Sequence, residues 1–336
     1  MILVISSERD SHAMTVLAGL SRVGARATLL DLSNFPERMQ LSINYRDGNA
    51  PDHRIRDGGN PELALADCGV VWWRRPQPFQ IHPEITNAAY RNFALSESQE
   101  AFAGLWLALD AFWINQPIRD QTAAHKVYQL RIAQDAGLET PTTLVTNSPE
   151  DARAFVETQG ADRTIYKAFS ATAQHWRETR LLKSDEFKLL DNVKFAPLIF
   201  QEYVPAQVDL RVTMIGENVF AAAISSQETS YAVDFRMDMD AGSVEAFDLP
   251  REVVERLRAV MDRLGLVYGA IDMRLTPEGR YVFLEINPAG QWLFVEHRTG
   301  QPMTEAFVRL LVAHDEKRLS IRPSALKTQD HARINP

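Results

Sequence analysis

The chain has 336 residues, of which 45% are hydrophobic and 24% are charged, and its formal net charge is -8. This length allows two or three packed subdomains, and the composition is ordinary for a globular protein. The negative charge argues against a general nucleic-acid binder, although a local basic groove could still hold phosphates. The single cysteine, Cys68, excludes an internal disulfide framework and a cysteine-based zinc cluster, and it fits a reducing cytoplasm.

A membrane-spanning helix and a signal peptide are both disfavoured by the sequence. None of the runs reaches the length of a membrane-spanning helix. The opening stretch MILVISSERD is too short and becomes charged too early for a signal peptide. We therefore expect a cytoplasmic protein with no membrane partner.

The first 32 residues predict a strand, a helix and a second strand. Residues 2–5 form an apolar run, residues 11–23 suit a helix, and residues 27–32 form the second apolar run. This order is typical of an α/β domain with a parallel sheet. The turn after the first strand contains no glycine, so the G-x-G-x-x-G dinucleotide fingerprint is missing and a nicotinamide enzyme is disfavoured.

Two arginines follow the next strong strand. Residues 46–61 read as a loop or weak hairpin, and residues 70–73 read as a strand that ends at Arg74, Arg75 and Pro76. Paired guanidinium groups could grip a carboxylate or a phosphate. The alternative is an internal salt bridge or a solvated strand end, and the sequence does not decide between them.

The central part of the chain places two lysines near predicted element ends. Residues 86–112 suit a long helix, and a proline-containing break at 115–117 suggests a domain boundary at 118. Lys126 lies in the first two turns of a helix predicted from 120 to 136, where a lysine is usually solvated. Lys167 lies within an apolar strand at 164–169, so its ammonium group must reach water, a partner or a ligand.

The rest of the chain predicts more strands than helices. Helices are expected at 148–160, 252–264 and 304–314, and the polar tail at 322–336 is expected to be loose. The predicted strands lie at 140–145, 198–205, 208–215, 218–225 and 233–236.

The stretch 268–291 predicts a β-hairpin with its turn at residues 276–279. Proline and glycine in this turn set the backbone angles that a tight turn requires. If Leu275 pairs with Arg280, Asp272 lies opposite Phe283.

In this register Asp272, Glu285 and Asn287 share one face, and the two carboxylates are diagonal neighbours. Two carboxylates and an amide oxygen at this spacing can hold a hard divalent cation. The alternative is a hairpin with one hydrated polar face. The opposite face would carry the apolar side chains of Ile271, Met273, Leu275, Val282, Leu284 and Ile286.

Taken together, these residues resemble the ATP-grasp superfamily. The closer resemblance is to its peptide-modifying branch, which includes the ligases that close ester and amide rings in microviridins and related graspetides. This resemblance rests on five sequence motifs: WWRRP at 72–76, QEYV at 201–204, DLRVT at 209–213, VDFR at 233–236 and GAIDMRLTPEGRYVFLEINPAGQW at 269–292. One departure is that no glycine follows Lys167 in AFSATAQHWRETRLL, where many ATP-grasp proteins have a glycine-rich flap.

The resemblance implies an α/β fold class, with an ATP-grasp fold of two α+β lobes and an N-terminal Rossmann-like parallel-sheet domain. It implies a pre-ATP-grasp domain at 1–118, a central lobe at 119–199, a C-terminal lobe with a magnesium site at 200–321 and a flexible tail at 322–336. A homodimer is also expected from the family.

The resemblance also implies a role for each candidate site residue. ATP phosphates would be neutralised by Lys126 and Lys167. The adenine hinge and ribose region would be formed by Gln201, Glu202, Tyr203, Val204 and Asp209. The γ-phosphate or an acyl phosphate would be held by Arg211 and Arg236, and Mg²⁺ would be bound by Asp272, Glu285 and Asn287.

The implied function is an ATP- and Mg²⁺-dependent carboxylate ligase. It would activate Asp or Glu side chains of a ribosomal precursor peptide, made of a leader and a core, and join them to Ser/Thr hydroxyls or Lys amines. Arg74 and Arg75 are candidates for holding the acidic substrate residue. Two alternatives stay open: a RimK-like ligase that adds an amino acid to a peptide or protein, and an ATP-binding module without turnover.

Overall fold

The computed structural model describes residues 1–47, 50–169, 179–225 and 242–321, and the chain divides into two compact units. Unit 1 contains Met1–Pro117 together with the described residues from Thr304 onward. Unit 2 is Ile118–Met303. The strand predicted at 233–236, which includes Arg236, and the tail at 322–336 lie outside the described residues, so those expectations stay predictions.

Unit 1 is built on a parallel sheet with the strand order β2-β1-β6-β7. Its described strands are β1 Ile2–Ile5, β2 Ala27–Leu30, β3 Met39–Asn44, β4 Asp52–Asp57, β5 Leu63–Ala64, β6 Val70–Trp73 and β7 Phe112–Ile114. All four residues of β1 are fully buried, as expected for a central strand covered on both faces. The predicted Rossmann-like parallel sheet is therefore confirmed.

Two helices of unit 1 follow the predicted pattern closely. Helix α1 spans Ser11–Arg22, and the side chain of Asp10 caps it by accepting the Ala13 N–H at 2.9 Å. Helix α2 spans Ala88–Ala108 and is capped by Asn87. The region 46–61 contains a full strand, β4, which pairs with β3 and β5 in a second sheet, so the weak-hairpin alternative was the correct one there.

Unit 2 contains two antiparallel sheets, and the first has the order β10-β9-β11-β8. Its strands are β8 Thr143–Thr146, β9 Thr164–Lys167, β10 Arg180–Leu181 and β11 Leu198–Glu202. The second sheet has the order β14-β13-β12-β15-β16. Its strands are β12 Val208–Ile215, β13 Asn218–Ile224, β14 Val244–Ala246, β15 Tyr268–Leu275 and β16 Tyr281–Asn287.

Helices of unit 2 cover the apolar face of the second sheet. The helices of this unit are α3 Pro117–Ala123, α4 Lys126–Asp135, α5 Pro149–Gln159, α6 Arg251–Leu264 and α7 Leu293–Thr299. Buried residues of α4 and α6, such as Ala133 and Leu257, pack with Val212 and Ile271 of the sheet in one core. This packing leaves the other face of the sheet for polar side chains, because strand residues alternate between faces.

The single helix predicted over 120–136 is two helices, so that prediction was wrong. His125 takes an extended backbone (φ -76, ψ 104) and separates α3 from α4. The side-chain amide of Gln129 donates to the Ala123 carbonyl at 2.6 Å, which satisfies a carbonyl at the end of α3. Lys126 consequently begins α4 instead of lying inside a longer helix.

The hairpin contains a bulge that the sequence did not reveal. Leu275 pairs with Tyr281 and Met273 with Phe283, but Asp272 pairs with Glu285. The extra residue is Leu284, and it changes which side chains face the core. The predicted pair of Leu275 with Arg280 was wrong because the turn sets the register one residue later, and the bulge shifts the pairing of Asp272 by one residue more, so its predicted pair with Phe283 was also wrong.

The observed register also corrects the predicted core face. Phe283 packs in the core of unit 2, whereas Leu284 lines a pocket on the other side of the sheet and Val282 lies opposite Arg274. The expectation that Val282 and Leu284 face the core was wrong because β16 pairs one residue later than predicted from the turn onward. The bulge then returns Glu285 to the face of Asp272.

The last helix returns to unit 1. Helix α8 spans Met303–Ile321, and Phe307 packs on Trp72 of β6 with ring centroids 4.6 Å apart. Val308 packs so closely on α1 that a Cβ at Gly19 would lie 2.8 Å from its Cγ2. Unit 1 therefore needs residues from both ends of the described chain.

Candidate nucleotide and metal site

The polar face of the second sheet carries a row of alternating charges. Arg211 on β12 donates from Nη1 to Oδ1 of Asp272 on β15 at 2.6 Å. Asp272 lies directly opposite Glu285 on β16, and Glu285 in turn forms an ion pair with Lys126 at the start of α4. Each carboxylate thus has a cation of its own, which allows two acidic side chains to be adjacent on one face.

Asn287 extends the oxygen-bearing part of this row. Ala270 pairs with Asn287 and Asp272 pairs with Glu285, so Asn287 lies on the same face as both carboxylates. Its Oδ1 accepts the Ala289 N–H at 2.9 Å, which sets the orientation of the side chain. Two carboxylates and one amide supply only oxygen donors, which is the set that Mg²⁺ prefers.

The carboxylates do not depend on a larger acidic cluster. Among the described residues, no group of three or more His, Cys, Asp or Glu side chains is close enough to hold a metal ion. A cation bound by Asp272 and Glu285 would therefore need further oxygen ligands from Asn287, a bound phosphate or water.

A buried glutamine that the sequence patterns did not single out anchors this edge of the sheet. The Gln129 side chain donates to the Ile286 carbonyl at 2.8 Å and accepts the Ile286 N–H at 3.1 Å. It therefore fixes α4 against β16 at the residue between Glu285 and Asn287. The available signal was a polar residue among the buried positions of α4.

A tight loop after β16 holds Arg211. The carbonyl of Gln291 accepts from Arg211 Nη2 at 3.0 Å, and the carbonyl of Gly290 accepts from the Tyr268 hydroxyl at 2.9 Å. A Cβ at Gly290 would lie 2.3 Å from the Cβ of Ala270 and 3.0 Å from Arg211 Nη2. This close approach explains why a glycine stands at position 290.

A pocket of unit 2 brings most of the sequence-predicted site residues together. Its walls come from β9, β11, the segment after β11, β12 and the hairpin. The lining residues are Ile165, Lys167, Thr179, Gln201, Glu202, Tyr203, Val204, Asp209, Asp272, Met273, Arg274, Leu284 and Glu285.

The lysine in β9 points along the sheet to a buried glutamine. Lys167 Nζ donates to Gln201 Oε1 at 3.0 Å, and Gln201 Nε2 donates to Thr143 Oγ1 at 2.8 Å. The sequence left open whether Lys167 reaches water, a partner or a ligand, and the structure shows a partner. Lys167 also lines the pocket, so a ligand bound there would lie beside this side chain.

Arg274 is the second residue that the sequence patterns did not single out. It donates from Nε to Asp209 Oδ1 at 2.9 Å and from Nη1 to the Val204 carbonyl at 2.6 Å. Its guanidinium carbon is 5.2 Å from the ring centroid of Tyr203. Asp209, which the resemblance assigns to the ribose or the metal face, is thus a buried ion-pair partner of Arg274.

The two arginines after β6 belong to unit 1 and differ in their surroundings. Arg74 is only 1% exposed, and its Nε lies 3.2 Å from Oδ2 of Asp10, the cap of α1. Of the alternatives that the sequence did not decide between, this geometry matches the internal salt bridge. Arg75 is exposed and has a positive φ of 46°.

The two antiparallel sheets of unit 2, with one lysine and several carboxylates lining a pocket, define the class of nucleotide-clamping ATP-grasp folds. Residues 1–121 match the model of the MvdD pre-ATP grasp domain, and residues 123–311 match that of the RimK-like ATP-grasp domain. The chain therefore belongs to the RimK-like ATP-grasp family, and the predicted superfamily and fold class are confirmed.

Solved structures of peptide ligases resemble almost the whole chain. The macrocyclase MdnC from Microcystis aeruginosa MRC, bound with the precursor peptide MdnA, is 30% identical, with a TM-score of 0.83 over 93% of this chain and 99% of its own. The ATP-grasp ligase PsnB, complexed with a minimal precursor, Mg and ADP, is 26% identical, with a TM-score of 0.76 over 94% of this chain and 97% of its own.

A curated relative resembles a smaller part of the chain. The ribosomal protein bS6--L-glutamate ligase of Salmonella paratyphi B is 23% identical over 216 residues, which is 61% of this chain and 69% of that protein. The predicted enzyme class, an ATP-grasp ligase, is confirmed by these matches together. The described residues contain no helix with the length and apolar character needed to cross a bilayer.

Proposed function

We propose that the protein is an ATP- and Mg²⁺-dependent ligase that closes rings in a ribosomally made precursor peptide. The observation that carries the proposal is the likeness to MdnC, which extends over 93% of the chain and includes the N-terminal domain. The likeness to the bS6 ligase covers only 61% of the chain.

In this proposal the pocket of unit 2 binds the nucleotide. Lys126 and Lys167 neutralise the phosphates, and the adenine lies against the segment formed by Gln201, Glu202, Tyr203 and Val204. Asp272, Glu285 and Asn287 hold Mg²⁺, which supplies positive charge beside the phosphates. Their all-oxygen donor set on one face of the sheet fits that ion.

The charged residues suit the activation of a carboxylate. A carboxylate does not acylate a hydroxyl or amine directly, because oxide is a poor leaving group. Transfer of the γ-phosphoryl group from ATP to a carboxylate oxygen gives an acyl phosphate and ADP. Attack by the hydroxyl or amine on the acyl carbon then expels phosphate, and the attacking group loses its proton.

Arg211 is the cation proposed to assist both steps. Its guanidinium group is held by Asp272 and the Gln291 carbonyl, and its buried Nε has no hydrogen-bond partner among the described residues. A fixed cation stabilises the charge that develops on a transferring phosphoryl group. Arg236, which lies outside the described residues, stays a predicted second cation for the same charge.

The substrate is proposed to be the Asp or Glu side chain of a leader-bearing peptide. Arg75 stays a candidate for holding that acidic side chain, because it is exposed beside β6. Arg74 would serve indirectly, since it is already paired with Asp10. A homodimer remains part of the proposal as a family expectation.

The test is incubation with ATP, Mg²⁺ and a candidate precursor encoded beside the gene, with a core rich in Thr and Asp or Glu. We expect ADP and phosphate, and a peptide that has lost one water for each bond formed. Release of AMP and pyrophosphate would contradict the proposed acyl-phosphate route.

The same assay separates the alternative functions. A RimK-like ligase, which the matched domain model and the bS6 relative favour, would increase the mass of its acceptor in the presence of a free amino acid. An ATP-binding module without turnover would bind nucleotide and release no ADP above background.

A further inference from the structure

Arg274 joins two parts of the pocket that come from different sheets of unit 2. Its strand, β15, carries Asp272 two residues earlier, and its side chain reaches Val204 just after β11. Arg274 is 5% exposed and its ion-pair partner Asp209 is 3% exposed, so the contact is screened from water.

The contacts of Arg274 are directional as well as charged. The planar guanidinium group forms one hydrogen bond to a carboxylate and one to a backbone carbonyl, and lies near the Tyr203 ring. Lysine cannot reproduce this arrangement, because its ammonium group is a compact point charge without a fixed fork. A buried pair of this kind is weak evidence for stability, but its two hydrogen bonds hold the guanidinium group between Asp209 and Val204.

The same contact engages one backbone group of Val204, a residue that lines the pocket. The Val204 carbonyl is engaged by Arg274, while the Val204 N–H donates no hydrogen bond to any described residue. The segment therefore presents a free donor and an engaged acceptor. Adenine offers an acceptor at its N1 position, whereas guanine carries a proton there.

We propose that Arg274 is a positioning residue that fixes residues 203–204 against the sheet carrying the carboxylates and thereby sets nucleotide affinity and base selection. This inference rests on the proposed function, because it takes the pocket to be the nucleotide site. Without the second hydrogen bond of Arg274, the Val204 carbonyl becomes available as an acceptor for the N1–H of guanine.

The experiment measures the dissociation constants of ADP and GDP, each with Mg²⁺, by calorimetry on the full chain. The main variant is Arg274→Lys, which keeps a cation beside Asp209 and removes the second hydrogen bond. The matched control is Arg280→Lys on the same hairpin, because Arg280 is half-exposed and pairs with Glu139. Melting temperatures without nucleotide are recorded for every variant.

We expect Arg274→Lys to weaken ADP binding about tenfold and GDP binding less, so that the preference for ADP over GDP falls. Arg280→Lys should bind both as the wild type does. An unchanged preference in Arg274→Lys, or an equal loss for both nucleotides, would overturn the inference. If that variant does not fold, Asp209→Asn, which loosens Arg274 from the other side, is judged by the same criterion.

Failure of the proposed function and failure of the role of Arg274 give different results. Wild-type protein that binds neither ADP nor ATP would remove the proposed function and the inference with it. Wild-type protein that prefers ADP, with Arg274→Lys showing the same preference, would leave the proposed function intact and reject the role of Arg274.

Discussion

At the scale of single residues, each carboxylate in the charged row on the second sheet is paired with a cation of the protein before any ligand binds. Asp272 is paired with Arg211, and Glu285 is paired with Lys126. A metal ion or a phosphate group that enters this row must compete with a charge already present in the protein. Removal of one protein cation should therefore weaken the binding of a phosphate group and strengthen the binding of a metal ion.

We predict this split for Lys126→Met. Nucleotide binding should weaken by about tenfold, because one cation facing the phosphates is lost, which corresponds to ~1.4 kcal/mol. Binding of Mn²⁺ alone should strengthen, because Glu285 is released. Calorimetry with a non-hydrolysable ATP analogue, and Mn²⁺ titration followed by electron paramagnetic resonance, measure the two effects.

Lys188→Met is the control for this prediction, since Lys188 is exposed. The control should change neither affinity. Weakened Mn²⁺ binding in Lys126→Met would show that the lysine supports the metal site rather than competing for it.

The cysteine gives a prediction that depends on pH. Burial raises the pKa of the Cys68 thiol to about 12. Because the folded-state pKa lies above the unfolded value, the neutral thiol contributes stability below about pH 8.5, and this contribution is lost as the pH rises towards 12. A thiol reagent at pH 8 should therefore modify Cys68 slowly in the native protein and rapidly in denaturant.

Cys68→Ala supplies the comparison for the pH effect. Its free energy of unfolding should fall less than that of the wild type between about pH 8 and pH 10. Rapid modification of the native wild-type protein at pH 8 would contradict the burial of the thiol.

At the scale of elements, the hairpin and the loop after it form one packed unit. The loop can hold Arg211 only because Gly290, which has no side chain, can lie close to the Cβ of Ala270. A change in the loop should therefore reach the site through Arg211.

We predict that Gly290→Ala destabilises the protein by ~1 to 3 kcal/mol, as overpacking of a tight contact does. It should also reduce ligase turnover, because Arg211 loses its fixed position. Chemical denaturation and the ADP-release assay measure the two effects.

The double variant with Ala270→Gly should restore stability, because it removes the opposing Cβ. Gly104→Ala is a control for adding a methyl group, since nothing lies within 4 Å of a Cβ there. Full activity in Gly290→Ala would show that the loop does not position Arg211.

Sequence patterns predicted the elements better than their pairing. The bounds of β1 and β12 were predicted correctly, because each is a compact apolar or alternating run with a clear turn beside it. The bulge at Leu284 was missed, because an extra residue in a strand has no signature in a single sequence. The shared face of Asp272 and Glu285 nevertheless survived, with a different register from the predicted one.

The contacts that depend on tertiary packing could not be predicted. Arg274 meets Asp209 and Val204 only because β12, β15 and the segment after β11 converge, and nothing local indicates this. Gln129 looks like any polar residue on a helix until α4 is placed on β16. The roles assigned to the site residues stay predictions until ligand binding is measured.

At the scale of the whole molecule, unit 1 is completed by a helix from the far end of the described chain. Phe307 of α8 is fully buried and packs on Trp72, which is itself 1% exposed. The first 117 residues therefore lack part of their hydrophobic core when α8 is absent.

We predict that Phe307→Ala lowers the free energy of unfolding by ~3 to 5 kcal/mol, the usual cost of truncating a buried phenylalanine. Tryptophan fluorescence during chemical denaturation should report the change, because Trp72 lies at the contact. Leu107→Ala in the same unit is the control, since Leu107 is 63% exposed and its loss should change stability by ~0.5 kcal/mol or less.

The return of α8 has a consequence for the order of events during translation. The ribosome releases the strands of unit 1 first. Trp72 must then wait for Phe307 to cover it until Ile118–Met303 has also been made. At ordinary elongation rates this wait is roughly 10 to 40 s. During that time the nascent chain exposes an apolar sheet face, so we expect ribosome-associated chaperones to bind early and to leave only after the final helix emerges.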